Sequence, residues 1–114
     1  MARVSVQFCR FDRQALYRPS TDDTDRLSDN TMQPSVLGDR LELDVTGTAT
    51  AGGSRPALPV SMTHAIVIPL SGEVLAQAGS DATATQASRF LPLLGFEYVI
   101  PMKPGELLSF IQRT

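Results

Sequence analysis

Apolar and polar residues alternate with a period of two at Val4-Ser5-Val6-Gln7-Phe8, and again at Leu41-Glu42-Leu43-Asp44-Val45. That pattern puts one set of side chains on each face of an extended strand. No stretch repeats apolar residues at the spacing of an amphipathic helix, so the alternation selects β structure. Eight prolines and eight glycines supply the reversals that many short strands require.

Further strands follow from local composition. Ala65-Ile66-Val67-Ile68-Pro69-Leu70 is a continuous, β-branched apolar run, the mark of a strand buried on both faces. Ser71-Gly72 reads as a turn, with a returning strand from Glu73 to Ala78. Phe96, Tyr98 and Ile100 alternate with Glu97 and Val99, Lys103-Pro104-Gly105 makes a turn, and Leu107 to Gln112 closes the chain. The strand from Leu41 is expected to continue through Gly47-Ala51 to a reversal at Gly52-Gly53. Ala57-Leu58-Pro59-Val60 is a proline-marked edge strand or irregular crossing.

Seven or eight such strands predict an all-β fold, a small antiparallel β-sandwich of jelly-roll-like form. At 114 residues the chain is one domain overall. Its β-sandwich core is expected over 41–114. Residues 1–40 are expected to supply an N-terminal strand or extended arm and a long polar loop, with one helical turn near Thr24–Ser28.

Charge narrows the partners. The net charge is −2, where a general nucleic-acid binder carries a basic excess, so no direct nucleic-acid contact is expected. Charged residues are only 19%, below the roughly 25% usual for soluble domains, which suits a surface that meets other subunits. No stretch nears the roughly 18 apolar residues of a membrane span, and residues 1–25 hold no apolar leader segment.

The residues that carry chemistry are few. One cysteine, Cys9, allows no intrachain disulfide, and one histidine, His64, cannot supply the ligand set of a typical metal-bearing barrel. Asp22, Asp23, Asp25 and Asp29 lack the central glycine and closing glutamate of a calcium loop. The glycine-rich stretch Gly47–Ser54 lacks the lysine of a phosphate loop, and the absence of tryptophan argues against a sugar platform. The expectation is a non-enzyme with no metal and no cofactor. What remains is the N-terminal segment. Arg3, Arg10 and Arg13 interleave there with Phe8, Phe11 and Tyr17, and these residue types anchor protein interfaces.

The order Gly79-Ser80-Asp81-Ala82-Thr83-Ala84-Thr85, Phe90-Leu91-Pro92, Phe96-Glu97-Tyr98, Lys103-Pro104-Gly105 resembles the small β-sandwich head decoration, or cement, proteins of tailed bacteriophages. The resemblance covers residues 58–114. It implies a homo-oligomer, trimer favoured, that clamps across major capsid protein subunits on the virion surface after synthesis in the host cytoplasm. The basic, aromatic N-terminus would then be an arm reaching a neighbouring subunit, removable over residues 1–12 without unfolding the domain. A tail or fibre-attachment domain of a phage, or a cupin-like ligand-binding barrel, are the alternative readings.

Overall fold

The computed structural model describes residues 2–11 and 34–114. They form seven strands: β1 Ala2–Arg10, β2 Val36–Val45, β3 His64–Ser71, β4 Val74–Gly79, β5 Arg89–Leu91, β6 Tyr98–Pro101 and β7 Leu107–Gln112. Every pairing is antiparallel. One sheet has the order β2-β1-β3-β6 and the other β5-β4-β7. Among the described residues the only helical element is a three-residue 3₁₀ turn, Gly52–Ser54. The expected all-β sandwich is therefore the fold.

The two inner faces follow from period-two alternation. Ala2, Val4, Val6 and Phe8 of β1, with Ala65 and Val67 of β3, pack against Val74 and Ala76 of β4, Leu91 of β5, and Leu108 and Phe110 of β7. Fully burying one such valine, leucine or phenylalanine side chain contributes about 1.5–3 kcal/mol. A second, smaller cluster lies on the opposite face of the three-stranded sheet, where Leu75, Ile111 and Ala84 meet Phe90 and Ala49.

β1 corrects the expectation of an N-terminal arm. Val6 is paired with Leu41 on one side and Val67 on the other, so β1 is an inner strand of its sheet. Both its faces are buried, Val4 and Val6 on one and Ser5 and Cys9 on the other. The sandwich thus begins at Ala2 rather than at residue 41, and β2 begins at Val36. Deleting 1–12 would remove a central strand, not a tether. The long polar loop and the Thr24–Ser28 turn lie outside the described residues.

Two crossings between the sheets shape the surface. Ser71-Gly72-Glu73 carries the chain from β3 to β4 in the other sheet, an arch where the sequence suggested a returning hairpin. Gly72 has φ +70°, and a Cβ there would stand 2.7 Å from the Cβ of Ala2, so only glycine fits. Residues 92–97 carry the chain back from β5 to β6.

β2 ends at Val45 instead of continuing to Ala51. Residues 46–58 turn aside and run along the open edge of β7. Gln112 N–H donates to Thr46 O, Thr50 N–H to Phe110 O, and Leu108 N–H to Pro56 O, and Ala57 bridges Leu107. An open strand edge invites pairing with other chains, and this irregular segment closes it.

Candidate protein-docking surface

The fold brings the two reactive side chains together. Cys9 and His64 are register partners on β1 and β3. Thr63 beside them is a small hub: its hydroxyl oxygen accepts the Phe11 N–H at 3.0 Å and lies 2.7 Å from His64 Nδ1, and its N–H donates to Cys9 O. The Phe11 ring meets the imidazole edge-on at 4.9 Å. A thiol nucleophile needs a lowered pKa and a basic partner. Here burial pushes the Cys9 thiol up and His64 down, so each group is held in its neutral form. Cys9 has no exposed surface. The pair therefore lacks the lowered thiol pKa that a nucleophile needs. Among the described residues no three His, Cys, Asp or Glu side chains are placed to hold a metal ion.

The proposed N-terminal interface residues separate. Phe8 shares the inward parity of Val4 and Val6 and is 8% exposed, so it belongs to the core and is not available to a partner. Arg3 points outward and pairs with Glu42 at 2.8 Å and Asp44 at 3.3 Å, exposed contacts of small energetic weight. Arg10 and Phe11 are half-buried at the far end of the strand, roughly 23 Å along β1 from Arg3 at ~3.3 Å per residue. Arg13 and Tyr17 lie outside the described residues. Within the described chain these residues do not form one surface.

Exposed apolar side chains concentrate elsewhere. Leu70, at the end of β3, is 40% exposed; Leu93, Leu94 and Phe96, on the crossing from β5 to β6, are 52–58% exposed, and Val99 of β6 is 40% exposed. Val99 lies directly across from Ile66 on the outer face of the four-stranded sheet, where Ile66 itself is buried. The crossing is fixed in place. Gly95 N–H donates to Pro69 O at 2.8 Å, Leu93 N–H donates to the Tyr98 hydroxyl at 3.1 Å, and the Phe96 ring packs edge-on against Tyr98 at 5.0 Å. Gly95, at φ +77°, supplies the turn. The Arg89 guanidinium lies over the Tyr98 ring at 5.7 Å, and exposed Glu97 sits beside it in the chain. A cation and an anion therefore border the apolar surface.

The sequence did carry a signal for this surface. Phe90-Leu91-Pro92-Leu93-Leu94-Gly95-Phe96 is apolar through two turn-forming residues, where a solvated loop would be polar. An apolar run broken by Pro and Gly must turn, and a turn displays its side chains. No family model matches this chain, and neither a curated protein nor a solved structure matches it.

Proposed function

We propose that this protein is a structural component of a phage virion, a capsid decoration protein that works by packing against protein. The observation that carries the packing role is the exposed apolar surface of Leu93, Leu94 and Phe96 on a hydrogen-bonded, preformed crossing, with Leu70 of β3 and Val99 of β6 exposed beside it in the fold. A rigid apolar surface on a small sandwich loses little conformational entropy on docking, which is what a mechanical clamp requires. The neutral, buried state of Cys9 and the neutral imidazole of His64 fit a chain without a nucleophile. The virion assignment rests on the likeness of residues 58–114 to decoration proteins. In this reading, contacts repeated over the shell add stiffness without any bond being made or broken.

The test is quantitative mass spectrometry of purified particles, with in vitro decoration of undecorated heads. A copy number that tracks the major capsid protein, together with saturable binding to heads, is the expected result. Absence from particles refutes the assignment, and a copy number matching the tail moves it to the tail alternative.

A further inference from the structure

We propose that the crossing between β5 and β6 is a self-association surface, occupied by the same surface of a second copy of this chain. This inference rests on the packing role proposed above and names its first partner. Two observations favour a second copy.

The first is area. With Phe96 about half exposed and four aliphatic side chains 40–58% exposed, each copy offers on the order of 300–400 Å² of apolar surface, taking ~200 Å² for a phenylalanine and ~150 Å² for an aliphatic side chain. Two copies bury roughly 600–800 Å² of it together. A small specific interface of ~1,200 Å² total is close to 60% apolar, about 700 Å². The surface is thus of the size that a two-fold pair at the weak end of the specific range needs.

The second is charge. Among the described residues the centre of the surface carries no ionisable side chain, so a copy placed on itself buries no like charges from them. Its border carries Arg89 and Glu97, both exposed and of opposite sign. A two-fold axis exchanges the two copies, so each Arg89 can meet the partner's Glu97 while the leucines meet in the middle. A surface bordered by one sign alone would repel its own copy.

Sedimentation equilibrium of the full chain over ~1–300 µM tests this, since weak specific pairs dissociate in the micromolar range. The expected mass rises with concentration from 12.3 kDa toward twice that value. Leu93→Asp with Leu94→Asp should stay monomeric throughout, with an unchanged urea midpoint because neither side chain is in the core. Arg89→Glu and Glu97→Arg should each weaken the pair about tenfold, and the two together should restore it. A wild-type chain that is monomeric at every concentration overturns the inference. So does a trimer, or a leucine variant that still pairs. A charge-swapped double variant no better than the single ones refutes the Arg89–Glu97 arrangement. Particle composition is read separately. A monomer found in particles at capsid copy number sinks the self-association and leaves the function standing, and a dimer absent from particles does the reverse.

Discussion

Removing one hydroxyl, that of Ser109, should unravel the junction that joins three segments. Ser109 lies on β7 with no exposed surface. Its oxygen accepts the buried Ala84 N–H at 2.8 Å, and its hydroxyl donates to Thr50 O at 2.8 Å. Thr50 completes the circuit. Its hydroxyl accepts the Phe110 N–H at 2.8 Å and lies 3.3 Å from Ser109 Oγ. In Ser109→Ala the Ala84 amide is left buried without an acceptor, at a cost of about 1–3 kcal/mol, and Thr50 O loses its donor in a half-buried setting, adding a smaller amount. The sum is about 2–3 kcal/mol. With a urea m-value near 1.5 kcal/mol/M for a domain of this size, the midpoint should fall by roughly 1.3–2 M. Ser80→Ala, at an exposed position, should change the stability by less than ~0.5 kcal/mol. Hydrogen exchange adds a local readout, in which the Ala84 amide should lose protection before the β1 amides do. A Ser109→Ala midpoint within ~0.3 M of wild type would refute the reasoning. It would mean that the junction relaxes at no cost or that another donor and acceptor replace the hydroxyl.

Gly72→Ala should destabilise by about 2 kcal/mol or more in the same assay, because the new methyl meets Ala2 at a left-handed φ. Deleting residues 1–12 should yield an unfolded or aggregated chain by circular dichroism, since it takes Val4, Val6 and Phe8 out of the core; a folded truncation would disprove the central placement of β1. Cys9 should react with a disulfide reagent at pH 8 slower than in urea by about three orders of magnitude, the protection expected when labelling must await unfolding. His64 has a folded pKa below its ordinary 6.5, so the unfolded chain takes up the proton first. Its contribution is complete above pH 6.5 and is lost as pH falls below that value toward the folded pKa. Thermal melts between pH 7.5 and 5 should show this slope, and His64→Gln should flatten it.

Legibility from sequence followed the range of the interactions. Val4, Val6 and Phe8, and Leu41, Leu43 and Val45, announced their strands because alternation is local. The burial of Ser5 and Cys9 did not, because the strands on either side of them, β2 and β3, lie far along the chain. The early start of β2 at Val36 was hidden by a bulge: between the pairs Gln7–Arg40 and Cys9–Leu37, two residues, Gly38 and Asp39, oppose Phe8 alone and break the alternation. Ser71-Gly72 has the chemistry of a hairpin turn and an arch alike, and only the approach of Ala2 distinguishes them. The N-terminal interface rested on residue type without face, and parity sent Phe8 inward. The apolar crossing was visible as Phe90–Phe96, but a buried strand and a displayed loop look the same until Gly95 N–H finds Pro69 O.

The central place of β1 sets a hazard during folding. Its segment Val4-Ser5-Val6-Gln7-Phe8-Cys9 is uncharged, free of proline and rich in β-forming side chains, the composition of segments that stack into cross-β aggregates. It cannot be paired on both sides until β3 has been made and has closed a long loop back to it, a slow, non-local step. Arg3 and Arg10 stand immediately on either side of the segment. Charges in those positions act as gatekeepers, since stacked copies would bring like charges into register. Both arginines therefore have work to do before the native structure exists, and replacing them with neutral residues should show first as lost soluble yield and only weakly as a lower melting point.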